Sequence, residues 1–232
     1  MSKLMVLVVA AVAASLALSS VNGARIDIIN QCGQTITACA TCCGGAQVNC
    51  YALGGRGGRQ QINVGGNWPA GVIWGFPGGS ANPNEGNNAK PQANLAEFTI
   101  GAGGMDYYDI SNVDAYNLPM RMAPTQIAGG GSPSGTHCGT IICAINDLIG
   151  FCNGRNRLTG PPGNGCKNVD GPGLNPTDGT RAFKNRCPTS YSYSKDDAGT
   201  VFGCNTGSNY EVVFCPYGSV PESEEVIREI VD

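Results

Sequence analysis

The sequence predicts a mainly β protein, and three of its features carry that prediction. Short runs of alternating apolar and polar residues are separated by Gly, Asn and Pro, and glycine alone supplies 35 of the 232 residues. Long heptads are absent and helix-like apolar periods are few. The third feature is twelve cysteines, an even number. In a secreted chain such a set is typical of a disulfide framework, so we expect a β domain cross-linked by disulfides.

Residues 1–23 are predicted to form a secretory signal peptide. Lys3 precedes an apolar run from Leu4 to Ala14, and Val21-Asn22-Gly23 supplies small side chains before a cleavage site. A membrane anchor is the alternative, but the run is about half as long as a spanning helix. We therefore expect an extracellular protein without stable membrane insertion.

The charge distribution argues against two classes of partner. Residues 24–215 carry twelve basic and twelve acidic residues, whereas 216–232 carry one arginine and five acids. A basic stripe is missing, so nucleic acid is not expected as a partner. Attraction to anionic membranes should be weak for the same reason.

Several runs are predicted as strands or as a helix from their patterns. A short helix is expected to start at Thr177 or Asp178 and to run to Arg186. Trp74 lies in a β-branched run and is expected in the core, although a sugar-stacking surface is the alternative. Strands are predicted at 25–30, 34–38, 60–64, 72–75 and 94–100, and the segment 34–38 is expected to be the antiparallel return of the first strand. Near the end of the chain, Tyr210, Val212 and Phe214 alternate as on a core-facing strand.

An acidic stretch begins in the predicted strand at 94–100 and continues after it. Leu95, Glu97 and Thr99 share one face of that strand, and the apolar residues between them share the other. After a glycine turn, residues 106–120 bring three aspartates among aromatics. Four carboxylates within 18 residues, in a chain that is only 13% charged, indicate a site rather than a solvated face.

These segments resemble the thaumatin-like proteins, the plant pathogenesis-related family. The resemblance rests on L-A-E-F at 95–98 and on D-Y-Y-D-I-S-N-V-D-A-Y-N-L-P-M at 106–120. F-K-N-R-C-P-T-S-Y-S-Y-S-K-D-D at 183–197 and N-Y-E-V-V-F-C-P at 209–216 extend it over most of residues 25–216. The resemblance implies a thaumatin-like domain over 24–216: a β-sandwich or flattened barrel from 25–126 and 188–216, with a disulfide-rich loop insertion at about 127–187.

The resemblance also implies four disulfides: Cys32–Cys215, Cys138–Cys204, Cys143–Cys187 and Cys152–Cys166. The other four cysteines, Cys39, Cys42, Cys43 and Cys50, depart from the family pattern and are expected to pair among themselves. Because adjacent cysteines do not bond easily, we expect Cys42 and Cys43 to pair separately with Cys39 and Cys50. A zinc cluster is the alternative, but secretion and the lack of a nearby histidine argue against it. The one histidine, His137, is interpreted as a surface loop residue.

The family's cleft holds an arginine, a glutamate and three aspartates. By motif these acids are Glu97, Asp109, Asp114 and Asp196, while Val72 occupies the arginine position. Without that arginine, one carboxyl should keep its proton near neutral pH, and Glu97 is the candidate holder. A substitute cation such as Arg121 and a bound metal ion are the alternatives. Glu97 and Asp114 are the candidate catalytic residues. All four acids, together with Tyr107 and Tyr108, are the candidate ligand-binding residues, the tyrosines as stacking surfaces or alternatively as core.

The resemblance implies an antifungal plant defence protein that binds β-1,3-glucan of fungal walls in an acidic cleft. A weak endo-β-1,3-glucanase is the alternative, and an inhibitor of a microbial enzyme or a non-catalytic structural member is the third class. No cofactor and no metal are expected, and the protein is expected to be a monomer. The acidic tail at 217–232 is predicted to be disordered, with a vacuolar sorting signal or one helical turn as alternatives.

Overall fold

The computed structural model of the chain describes residues 23–43, 47–78, 92–152, 154–158 and 165–217. The predicted signal peptide and nearly all of the acidic tail lie outside these ranges. Strands dominate the described residues, as the sequence predicts. In chain order they are β1 (Ala24–Asn30), β2 (Ile36–Thr41), β3 (Val48–Leu53), β4 (Gly58–Gly65), β5 (Trp68–Pro77), β6 (Leu95–Ala102), β7 (Met105–Ser111), β8 (Ala115–Tyr116), β9 (Met120–Gln126), β10 (Ile141–Cys143), β11 (Arg157–Leu158), β12 (Gly165–Lys167), β13 (Phe202–Asn205) and β14 (Asn209–Phe214).

The strands form two large sheets and one small one. A five-stranded sheet has the order β10-β9-β14-β1-β4, and a six-stranded sheet has the order β13-β7-β6-β5-β2-β3. The small sheet has the order β11-β12-β8. Buried side chains from both large sheets form one core, which includes Ile26 and Ile28 of β1 and Phe98 and Ile100 of β6. The two large sheets therefore pack face to face as a sandwich.

The predicted antiparallel return at 34–38 is wrong. β2 pairs with β3 and β5 in the six-stranded sheet, whereas β1 pairs with β14 and β4 in the other sheet. Asn30 stabilises the crossing between the sheets. Its Nδ2 donates to the carbonyls of Gln34, Leu53 and Gly54, and its Oδ1 accepts from the Cys32 amide. These bonds replace the hydrogen bonds that a hairpin would have supplied.

Asp106 has a structural role inside the sandwich. Its Oδ1 accepts from the Gly101 amide at 2.8 Å, and its Oδ2 accepts from the Tyr210 hydroxyl at 3.0 Å. Burial raises its pKa, and these hydrogen bonds act in the opposite direction. The carboxyl therefore ties β7 to β14 and to the end of β6.

A second, smaller apolar cluster covers the far side of the six-stranded sheet, which we call the outer face. It includes Trp74 and Phe76 of β5, Leu95 of β6 and Cys39 of β2. Trp74 is only 1% exposed, which confirms its interpretation as a core residue. The six-stranded sheet is therefore covered on both faces over part of its area.

The segment 127–187 departs in one respect from the expected insertion. It supplies α1 (Leu148–Phe151), a 3₁₀ turn (Gly154–Asn156), β11, β12 and α2 (Asp178–Arg186). However, β10 within it pairs with β9 and extends the five-stranded sheet. Ile141 and Cys143 are fully buried on one side of β10, and this burial explains why the short run joins the sandwich.

Six disulfides link the twelve cysteines. The four pairs that the resemblance implies, Cys32–Cys215, Cys138–Cys204, Cys143–Cys187 and Cys152–Cys166, are all present in the structure. The other four cysteines pair among themselves, but as Cys39–Cys50 and Cys42–Cys43.

The expected separate pairing of Cys42 and Cys43 is therefore wrong. Cys39 and Cys50 lie directly opposite each other on β2 and β3, with their Cα atoms 4.1 Å apart, so they bond to each other. Cys42 and Cys43 follow the end of β2 and bond to each other across a turn, in which Cys43 adopts a φ of 57°.

The helix α2 begins where the sequence predicts. Thr177 is its N-cap: its hydroxyl accepts from the Thr180 amide, and the Thr180 hydroxyl accepts from the Thr177 amide. Replacing Thr177 with alanine is expected to lower the free energy of unfolding by about 1 kcal/mol. Urea unfolding measures this loss. Thr177→Ser should restore most of it, and Asn175→Ala, at an exposed position before the cap, should leave stability unchanged.

Candidate functional site

Two carboxylates face each other on the outer face of the six-stranded sheet. Glu97 on β6 and Asp109 on β7 are direct cross-strand partners, and Val72 on β5 is the partner of Glu97 on its other side. Both acids are half-buried. The alternation of β6, with Phe98 and Ile100 in the core, directs Glu97 away from the core as the sequence predicts. Like charges directly opposite each other repel, so one of them is expected to be neutral.

The neutral member of this pair is Asp109. Burial raises its pKa well above the usual range, and the negative charge of Glu97, a hydrogen bond with Glu97 and the charge of Asp197 raise it further. A hydrogen bond that raises a carboxyl pKa is one in which the protonated carboxyl donates. The protonated Asp109 carboxyl therefore donates a hydrogen bond to Glu97, and we call these two residues the acid pair. The sequence indicated Glu97 as the proton holder, and the raised pKa of Asp109 now points to the neighbouring carboxyl of the same pair.

The other oxygen of Asp109 adds to the polarity of this site. Asp109 Oδ1 is buried without a hydrogen-bond partner among the described residues. Most buried polar atoms have a partner, and exceptions are found at functional sites and where a water molecule binds. The acid pair is thus not a saturated structural network.

Asp197 and Tyr191 approach the acid pair from the segment after α2. The Tyr191 hydroxyl donates to Asp197 Oδ1 at 2.7 Å. The Tyr191 backbone is fixed against β7, because its amide donates to the Ile110 carbonyl and its carbonyl accepts from the Asn112 amide. Burial raises the pKa of Tyr191, with further contributions from the hydrogen bond to Asp197 and the charges of Asp109 and Asp197. The carboxylates of Glu97, Asp109 and Asp197 and the phenol of Tyr191 therefore lie close enough to influence one another's pKa.

Asp196, the residue chosen from the sequence, has a structural role instead. It is 7% exposed and forms an ion pair with Lys184 at 2.7 Å. Its Oδ2 also accepts from the amide and the hydroxyl of Ser192, both at 2.9 Å. Asp196 therefore holds its loop against α2, and the acid that acts on Asp109 is Asp197. The sequence offered two adjacent aspartates, and only the fold decides which of them faces the pair.

The two adjacent tyrosines of β7 point in opposite directions. Tyr108 is 1% exposed in the core, and its hydroxyl donates to the Gly139 carbonyl at 2.6 Å. The interpretation of Tyr108 as a ligand-binding residue is therefore wrong. Tyr107 shares the outer face with Asp109 and is 41% exposed. Its exposed phenol ring lies on the same face as the acid pair, where a sugar ring could stack on it.

The sequence also indicates Asp114 as a site acid and Arg121 as a substitute cation. Asp114 is half-buried in the bend between β7 and β8, where its carbonyl accepts from the Asn168 amide at 2.9 Å. Arg121, a candidate replacement for the missing arginine, pairs with Glu211 at 2.7 Å. Both residues of that ion pair belong to the five-stranded sheet, so Arg121 does not replace the arginine of the family pattern at the acid pair.

An arginine at position 72 should lower the pKa of Asp109, so that both members of the acid pair are ionised near neutral pH. Val72 lies directly opposite Glu97, so the guanidinium of Val72→Arg would lie beside both acids. We expect the pKa of Asp109 to fall towards its ordinary value, because a nearby cation favours the ionised carboxyl. Carboxyl-detected NMR titration measures the change. Val72→Met lengthens the side chain without charge and should leave the pKa raised. An unchanged pKa in Val72→Arg would show that position 72 does not act on the pair.

Two properties of the described residues bear on the class of site. These residues contain no group of three or more His, Cys, Asp or Glu that could hold a metal ion. Within the same ranges, no helix is long and apolar enough to cross a membrane.

Comparison with known proteins identifies the family. The Thaumatin family model matches residues 75–216. The chain belongs to the thaumatin family. A curated relative, pathogenesis-related thaumatin-like protein 3.2 of Cryptomeria japonica, is 30% identical over 84% of this chain and 90% of its own. Osmotin-like protein OSML15 of Solanum commersonii is 37% identical over 56% of this chain and 53% of its own. This is a family of thaumatin-like, pathogenesis-related proteins.

A solved structure has a related fold at low sequence identity. It is the laminaripentaose-producing β-1,3-glucanase of Paenibacillus barengoltzii, a family 64 glycoside hydrolase in complex with laminarihexaose. The TM-score is 0.50 at 9% identity, and the match covers 83% of this chain and 75% of the glucanase. At this identity, the likeness concerns the fold alone.

Proposed function

We propose that this thaumatin-family chain is a secreted plant defence protein that binds β-1,3-glucan of fungal walls on the outer face of its six-stranded sheet. The observation that carries the proposal is the acid pair with Tyr107 beside it. Carboxylates that accept from sugar hydroxyls and an exposed aromatic ring for the sugar face are the groups that a neutral polysaccharide needs. Relatives named pathogenesis-related support the defence role.

The acid pair favours binding over catalysis. Glycoside hydrolases keep their two carboxyl groups roughly 5 Å apart or more, because a nucleophile or a water molecule must fit between them and the sugar. Glu97 and Asp109 are joined by a hydrogen bond, which leaves no such space. Hydrolysis would need a second carboxylate away from the pair. Asp114 is the residue that the resemblance implies, with one member of the acid pair as the general acid.

A co-sedimentation assay on insoluble β-1,3-glucan tests the proposal. We expect the protein to be found with the pellet and to release little reducing sugar in the same sample. Tyr107→Ala should weaken binding about tenfold, which corresponds to the loss of about 1.4 kcal/mol of stacking. The matched control is Tyr217→Ala, since Tyr217 is 71% exposed but follows β14 of the five-stranded sheet.

Each outcome has a defined meaning. Release of reducing sugar that Asp114→Asn abolishes would replace the binder by the glucanase. Equal loss of binding in both tyrosine variants would show that the outer face is not the binding surface. Failure of the unmodified protein to sediment would contradict the proposal itself.

A further inference from the structure

A second recess opens at the edge of the sandwich, away from the acid pair. β3 ends the six-stranded sheet and β4 ends the five-stranded sheet, so each has one strand neighbour. Between them lies a pocket of about 660 Å³. This volume is within the range of small-molecule sites.

The pocket and the acid pair lie on opposite faces of the six-stranded sheet. Cys42, Tyr51 and Ile62 line the pocket, and all three pack against the core between the sheets. Trp68, which also lines it, contacts Phe98 of the core with ring centroids 6.1 Å apart. Glu97 and Asp109 face the other way. A ligand in the pocket would therefore not touch the acid pair.

The lining combines an apolar floor with a carboxamide rim. Ala40, Ile62 and Val64 supply aliphatic surface, and Tyr51 and Trp68 supply two aromatic rings. Gln47 and Asn49 supply carboxamides, and Thr41 adds a hydroxyl. Gln61 and Asn63 also border the pocket, but their side chains point away from the core, because they alternate with Ile62 and Val64, which pack against it. One of the amides is already engaged, because Gln61 Nε2 donates to Asp27 Oδ1 at 2.8 Å. Among the described residues of the lining, none carries a charge.

The disulfide Cys42–Cys43 forms one wall of the pocket. The Cys43 amide donates to the Pro69 carbonyl at 3.1 Å, which ties this wall to β5 next to Trp68. Two adjacent bonded sulfurs present a polarisable surface without a net charge. The wall, the floor and the rings therefore suit a ring-shaped, uncharged body.

From this lining we propose that the pocket binds a neutral saccharide. A sugar ring has an apolar C–H face that packs on aromatic rings, and hydroxyls at its edge that both donate and accept. Carboxamides also do both, whereas a carboxylate only accepts and an ammonium only donates. An acidic or basic ligand would lose its hydration without gaining a counter-charge. A purely apolar ligand would leave the carboxamide rim without partners.

NMR of the full chain tests the proposal, because the chain has two tryptophans and they report on different faces. Trp68 lines the pocket, and Trp74 lies in the outer-face cluster. We expect cellobiose, whose β-1,4 linkage differs from that of the glucan proposed for the acid pair, to shift the Trp68 indole N–H resonance saturably while the Trp74 resonance stays in place. Glucuronic acid and glucosamine should bind at least tenfold more weakly. Trp68→Phe assigns the two resonances.

Three variants locate the effect. Asn49→Leu removes an exposed amide from the pocket and should weaken disaccharide binding about tenfold. Asn175→Leu, at an exposed position outside the lining, should leave it unchanged. Asp109→Asn should also leave it unchanged, which separates this pocket from the glucan site proposed above.

Several results would overturn the proposal. The absence of a saturable Trp68 shift with cellobiose would do so, as would equal affinity for the charged sugars. Binding that Asp109→Asn abolishes and Asn49→Leu preserves would assign the saccharide to the acid pair instead. If the Trp68 resonance is broadened, the side-chain amide resonances of Gln47 and Asn49 provide the same readout.

Discussion

Replacing both Cys32 and Cys215 with alanine is expected to lower the melting temperature by about 10–20 °C. This disulfide joins the end of β1 to the end of β14 and closes a loop with a sequence separation of 183. The chain-entropy model assigns such a loop roughly 5 kcal/mol, and a domain of this size loses about 2–4 °C for each kcal/mol. Calorimetry under non-reducing conditions measures the shift.

The disulfide Cys39–Cys50 provides the matched control. It also joins two buried or half-buried positions, but its sequence separation is 11, so the same model assigns it roughly 3 kcal/mol. Replacing both of its cysteines with alanine should therefore lower the melting temperature by less. If the two double variants lost the same stability, loop closure would not be the source of the stabilisation by Cys32–Cys215.

Asp109→Asn is expected to make the protein more stable near neutral pH. The pKa of Asp109 is raised in the folded protein, whereas in the unfolded chain it returns to about 3.9. Between these two values the folded state holds a proton that the unfolded state has lost. Stability therefore falls as pH rises through this window, by about 1.4 kcal/mol per pH unit. Asparagine keeps a hydrogen-bond donor towards Glu97 and has no titratable proton. The loss of stability with rising pH should therefore disappear in the variant.

Urea unfolding at a series of pH values from 3 to 8 measures this difference. The variant should match the parent at the acid end, below the unfolded pKa, and exceed it at the neutral end. Asp178→Asn is the control, because the Asp178 side chain is fully exposed beside Arg181. Parallel pH profiles of parent and Asp109→Asn would contradict the raised pKa.

The strands were predictable from the sequence, but their partners were not always. Alternation in residues 94–100 placed Glu97 on the correct face, because side-chain direction in a strand has a period of two. The same alternation separates Tyr107 from Tyr108 and would have assigned Tyr108 to the core. For the segment 34–38 the sequence predicts an antiparallel return of β1, which the structure does not contain. Its true partners, β3 and β5, depend on a crossing that the Asn30 side chain stabilises through contacts distant in sequence.

The sequence predicted the types of residue that form the site, but not how these residues are arranged in space. The motif identified the carboxylates Glu97 and Asp109, which the structure pairs across two strands. It could not choose between Asp196 and Asp197, since the choice depends on Lys184 reaching Asp196 from α2. Nor could it identify the Cys42–Cys43 bond, because that bond follows from the direct pairing of Cys39 with Cys50.

Backbone amide NMR with laminarihexaose tests the central claim most directly, namely that the acid-pair face binds β-1,3-glucan. We expect saturable shifts along β6 and β7, centred on Glu97, Tyr107 and Asp109, and their loss in Tyr107→Ala. Shifts confined to Trp68 and its neighbours would assign glucan to the edge pocket. Shifts confined to the five-stranded sheet, or none at all, would contradict the claim that the acid-pair face is a glucan site.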